Sequence, residues 1–245
     1  MKNFLLVFIL AFSLMIVSGC SLRGKSGERL ATEGVGGEQN EEGEKIKEEN
    51  REAIESAGNE KARKVPVLSE SDHLKGDINV SVKMIVYSDF QDPYCSNFSK
   101  TLKQIESEFG DKVVIAFRHF PLPFHARAKE AAIVSECASE QGKFWEMHDK
   151  LFADNVAGRL NAEQFKKDAA ELDLDADKFN QCLDSQTFFD KITKQMEEGK
   201  RAGILGTPTS FINDEIIPGA YPMDDFTDSA GVKREGLRSI INKNF

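Results

Sequence analysis

The sequence predicts one α/β domain carried behind a membrane-addressing leader, and three patterns carry that expectation. Val82 to Tyr87 is a short β-rich apolar run that runs straight into a helix-like segment. Between Pro123 and Ala202 the chain is rich in amphipathic helix patterns, and strand patterns return at Thr209 to Asn213 and Glu215 to Pro218. At 245 residues with 40% hydrophobic content, the chain can bury a core for one sizeable domain plus appendages, or two small domains. The formal net charge of −9 and the lack of a long Lys/Arg run argue against nucleic acid as a partner. The four cysteines, Cys20, Cys95, Cys137 and Cys182, form no paired CxxC unit of the kind a structural zinc site needs, so no metal is expected.

Met1 and Lys2 open a short polar start, and Phe4 to Val17 is almost wholly apolar. That run suits a signal peptide but is short for a spanning helix of about 20 residues. It ends in Val17-Ser18-Gly19-Cys20, which is similar to the bacterial lipobox. Residues 1–19 then read as a lipoprotein signal peptide and Cys20 as the lipidated anchor; the alternative is an uncleaved signal anchor with an incidental cysteine. Residues 20–64 are acidic and Gly-rich, as in Gly34-Val35-Gly36-Gly37, and contain no aromatic residue. Such a stretch cannot bury enough surface to offset chain entropy, so a disordered tether is expected.

The folded part is expected over 65–245. Strand Val82 to Tyr87 leads through Ser88-Asp89-Phe90-Gln91-Asp92-Pro93-Tyr94-Cys95 into a helix whose Phe98, Leu102, Ile105 and Phe109 share one face. Asp92 suits the N-cap and Pro93 the first helical position. A strand at Val113 to Arg118 follows. Helices are then expected at Ala126 to Gln141, Lys143 to Phe152, Ala162 to Leu172, Ala176 to Leu183 and Phe188 to Ala202, with a closing helix from Lys233 to Asn242.

Taken together these segments resemble the DsbA family of thiol-disulfide oxidoreductases, where a strand ending in Asp-Phe-x meets Cys-Pro-Tyr-Cys at a helix N-terminus. Asp72-His73-x-x-Gly76, Phe117-Arg118-His119-Phe120-Pro121-Leu122, Gln141-Gly142-Lys143-Phe144-Trp145 and Gly206-Thr207-Pro208-Thr209 match in family order. The resemblance covers roughly Val65 to Phe245. It implies a thioredoxin fold with an inserted helical domain at about 123–202, extracytoplasmic polypeptides or thiol-containing proteins as partners, and no cofactor. The membrane would be reached through lipid on Cys20.

This sequence departs from the family at its centre, because Asp92 stands where the family has its first cysteine. In the family that thiolate is stabilised at the helix N-terminus and attacks a disulfide, and the second cysteine, here Cys95, resolves it. Aspartate keeps the negative charge but forms no sulfur–sulfur bond, so the dithiol cycle is unavailable. Asp92 reads either as a plain N-cap or as a group retained to bind polar peptide atoms. Cys95 reads either as a small buried hydrophobe or as a monothiol exchanging with small thiols. Thr207 and Pro208 align with the family's cis-proline loop, where a client chain pairs as an added strand; otherwise they form a simple turn.

The resemblance also implies a structural disulfide between Cys137 and Cys182 in an oxidising compartment, worth roughly 4 kcal/mol in the chain-entropy model. Two buried free thiols are the alternative. His119, His125 and His148 read as satisfied or solvated imidazoles and Phe144 and Trp145 as core, with no catalytic part.

Overall fold

A computed structural model describes residues 65–245; the signal peptide, Cys20 and the tether expected at 1–64 lie outside the described residues. Strands β1 (His73–Lys75), β2 (Val82–Ser88) and β3 (Val113–His119) come first, with helix α1 (Pro93–Phe109) and a short 3-10 turn between the last two. β2 and β3 are parallel, in register from Val82 opposite Val113 to Ser88 opposite His119. β4 (Thr209–Ile212) pairs antiparallel with β2, and β5 (Glu215–Pro218) with β4, giving the order β1-β3-β2-β4-β5.

Strand periodicity explains the layering. Val82, Met84 and Val86 point to one face, where they meet Phe98, Leu102, Ile105 and Phe109 of α1 and the closing helix. Ile85 and Tyr87 point to the other, against Ala116, Phe120, Ile204 and Phe211. The expected run of helices forms α2 (Ala128–Ser139), α3 (Phe144–Val156), α4 (Ala162–Glu171), α5 (Ala176–Ser185) and α6 (Phe189–Arg201). Their own core includes Phe144, Met147, Leu151, Phe165 and Phe179, and it reaches the sheet through Phe90 and Phe117. Asn161 caps α4 and Asp175 caps α5, each accepting two backbone N–H groups.

The closing helix is shorter than expected. Lys233–Arg234 (β7) pairs with Phe226–Thr227 (β6), and helix α7 spans only Leu237–Asn242. Asp225 sets this start by accepting from the Gly236 N–H at 2.9 Å and the Ser239 hydroxyl at 2.7 Å. Gly236 has no room for a side chain, since a Cβ there would lie 2.3 Å from the Asp224 backbone. Strand β4 stops one residue early because Asn213 turns into the left-handed region (φ 50°) and bonds back to Lys83.

Candidate functional site

The site is built where β2 ends and α1 begins. Asp92 is extended (φ −78°, ψ 122°), and its Oδ1 accepts from the Tyr94 N–H at 2.7 Å, with Pro93 opening the helix. Its second oxygen, Oδ2, accepts from the Thr207 hydroxyl at 2.6 Å. The Thr207–Pro208 peptide is cis, and Thr207 reaches across from the loop before β4. Asp92 is only 3% exposed, so its carboxylate is spent inside the protein.

Cys95 lies one turn into α1, is a free thiol and is 1% exposed. Its Sγ accepts weakly from the Asp89 N–H at 3.4 Å. Burial pushes the thiol well above its ordinary value, and the Asp92 charge pushes the same way, against weaker hydrogen bonds from Ser88, Asp89 and Thr207. A carboxylate at position 92 therefore opposes a thiolate at position 95.

Asp89 braces the neighbouring loop. Its Oδ1 accepts from Gln91 N–H at 2.7 Å, and its Oδ2 lies 2.8 Å from both the Leu122 N–H and His125 Nδ1. Burial raises this carboxyl despite those bonds. Three apolar side chains close in sequence to the residues of this site are exposed: Tyr94 (69%), Phe124 (74%) and Leu205 (98%). Tyr94 is in the first turn of α1, Phe124 adjoins His125, and Leu205 lies two residues before Thr207.

A second polar centre ties the helices to the sheet. Glu136 of α2 is buried, and its Oε1 lies 2.9 Å from the Nε2 atoms of both His73 (β1) and His119 (β3). Lys191 of α6 donates to Oε2 at 2.8 Å. Burial disfavours the Glu136 charge, but hydrogen bonds from the two histidines outweigh it and hold the carboxyl well below its usual range. Burial likewise keeps His119 below its ordinary value. These three side chains place a ligand atom each within 4.8 Å of one another, the only such group among the described residues. The positive charge they need is already supplied, because the Lys191 ammonium stands on Glu136 and 3.2 Å from His73 Nε2. Beside them, Arg118 is clamped by Asp72, Tyr87 and the Val67 carbonyl. A cavity of about 580 Å³ lined by Arg118, Asp72 and Lys191 touches none of Asp92, Cys95 or Thr207.

In the helical region the Cys137 and Cys182 sulfurs are 1.97 Å apart, with α-carbons at 5.8 Å. Phe144 stacks on His73 and His148 is buried among Phe90, Phe117 and Phe152. Sequence reasoning missed the Asp92–Thr207 contact, since 115 residues separate the partners. It also missed Glu136, which sits in an amphipathic helix with no local mark.

Comparison with known proteins decides the family. The thioredoxin family Thioredoxin_4 matches residues 68–230. The chain belongs to this family. Among solved structures, α-DsbA1 of Wolbachia pipientis is 25% identical with a TM-score of 0.57, covering 73% of this chain and 92% of its own. Oxidised BdbD of Bacillus subtilis is 22% identical with a TM-score of 0.58, covering 71% and 92%. The fold is that of DsbA-like thiol-disulfide oxidoreductases, a thioredoxin sheet with inserted helices.

Curated relatives bear another name. The Na(+)/H(+) antiporter NhaA 1 of Salinispora arenicola is 33% identical over 161 residues, 65% of this chain and 24% of that protein. The NhaA of Herminiimonas arsenicoxydans is 31% identical over 174 residues, 71% and 27%. This DsbA-like chain spans about a quarter of the length of those relatives, and their transport activity is a statement about them.

Proposed function

We propose that this protein is a DsbA-like scaffold that has given up dithiol exchange and holds extracytoplasmic polypeptides at its Thr207–Pro208 loop. One observation carries the reading: Asp92 occupies the nucleophile position with both oxygens bonded internally and is 3% exposed. No sulfur stands at that position, and Cys95 is buried with its thiol form favoured. Tyr94, Phe124 and Leu205 are exposed apolar side chains close in sequence to residues of the closed centre, suited to extended segments of unfolded chains. On this reading Asp92 is a structural cap, Thr207 and Pro208 shape the client edge, and Cys137–Cys182 is a staple of the helical region. Lipid on Cys20 and the tether at 20–64 would hold the domain on the extracytoplasmic face of the membrane.

Anisotropy with a labelled, cysteine-free unfolded polypeptide tests the proposal on the full chain. Wild type and Cys95→Ser should bind equally, while Leu205→Asp and Tyr94→Asp should each weaken binding about tenfold or more. Absence of binding by the wild type, or its loss in Cys95→Ser, would count against the reading.

A further inference from the structure

Two carboxyls in the helical region carry oxygens that the structure leaves without partners. Asp154, in the last turn of α3, and Asp168, in α4, are each 2% exposed. Asp154 Oδ1 accepts from Arg159 Nη2 at 2.7 Å and Nε at 3.2 Å. Asp168 Oδ1 accepts from Gln164 Nε2 at 2.9 Å and lies 3.6 Å from Lys150 Nζ. Both Oδ2 atoms are buried with no hydrogen-bond partner, and the Asp154 carboxyl acts on Asp168 in the direction that favours the protonated form. Two ionised carboxylates contain only acceptors, so neither can satisfy the other, and each orphan oxygen is left desolvated without a donor.

One added proton removes both defects, because a carboxyl donates to a carboxylate. We infer that Asp154 and Asp168 share a proton, forming a latch that closes the α3–α4 corner at mildly acidic pH and loosens as that proton leaves to solvent. The charges facing the pair fit a proton better than a metal ion. Arg159 and Lys150 already set two cations against the two carboxylates, with Glu171 taking Lys150 at 2.5 Å and Lys167 beyond it. Two free oxygens also fall short of the six to eight that a calcium ion takes. Burial, with Asp154 adding to it, raises the Asp168 carboxyl to about 6.

The latch is linked to the functional site through Asn155 and Ser96. Asn155, next to Asp154, donates to the Ser96 hydroxyl at 2.8 Å, and that hydroxyl donates to the Asp92 carbonyl at 3.2 Å. The last turn of α3 is thus pinned on one side to α4 and on the other to the first turn of α1.

The sign follows from linkage. A carboxyl raised in the folded state stabilises that state most at low pH, and the benefit falls between its ordinary value, 3.8, and about 6. Asp168→Asn replaces the shared proton with a permanent amide donor. Between about pH 5 and pH 7.5, the unfolding constant of the wild type should rise roughly tenfold relative to that of Asp168→Asn. Equal pH dependence in the two proteins would overturn the latch. Should the variant fail to fold, carbon-13 titration of the wild type decides: an Asp168 transition above pH 5 that is also felt at the Asp154 carboxyl carbon supports the shared proton, and an Asp168 transition near 3.8 with no response at Asp154 refutes it. Repeating denaturation with calcium and with chelator adds a control. Calcium-dependent stabilisation that Asp168→Asn abolishes would assign the site to a cation and remove the proton.

Discussion

The two halves of the folded region use cysteine in opposite ways. In the thioredoxin half Cys95 is unpaired, and its burial, with the Asp92 carboxylate three residues away adding to it, suppresses its ionisation. In the helical half Cys137 and Cys182 meet at bonding distance, joining α2 to α5. Position explains the contrast. A helix N-terminus stabilises whichever anion stands there, and here that anion is Asp92, capped and closed over by Thr207. The helical pair sits in a packed core where a static cross-link constrains the chain.

The largest test of that contrast is removal of the cross-link. Cys137→Ala with Cys182→Ala should lower unfolding stability by about 2–5 kcal/mol, read from denaturant midpoints under oxidising conditions, and reductant should narrow the gap. Next comes the hub joining the two halves. Glu136→Ala strands Lys191 and two imidazoles, which should cost about 3 kcal/mol. This hub also gives a pH signature. The Glu136 carboxyl is held below its ordinary 4.5, so its contribution is present above that pH and is lost as pH falls below it. The alanine variant should lose that acid-side slope.

Effects shrink at the functional site. Asp92→Ala removes an N-cap and the acceptor for Thr207, for an expected loss of about 1–2 kcal/mol in thermal or chemical unfolding. Cys95→Ala should cost only about 1 kcal/mol, in line with a small buried side chain. A larger loss at position 95 than at position 92 would reverse the roles assigned here.

Much of this was legible in the sequence because the signals were local. The alternation of Val82 to Val86, the face of Phe98, Leu102, Ile105 and Phe109, and the Asp92-Pro93 start of α1 each lie within a few residues. The ordered motifs around Arg118, Trp145 and Pro208 then pointed to the fold. What stayed hidden depends on contacts between distant segments. The β6–β7 hairpin rests on two-residue strands, too short to show periodicity, and on the bonds of Asp228 across its turn. Glu136 looks like any polar helix residue until β1, β3 and α6 converge on it. The second oxygen of Asp92 is closed by Thr207, 115 residues away, so sequence left open whether that carboxylate faced a client.

The central claim is that Asp92 silences exchange on an otherwise intact scaffold. Insulin reduction by the wild type, Cys95→Ser and Asp92→Cys tests it directly. No turnover is expected from the wild type or Cys95→Ser and clear turnover from Asp92→Cys; wild-type turnover that disappears in Cys95→Ser would show that Cys95 still exchanges.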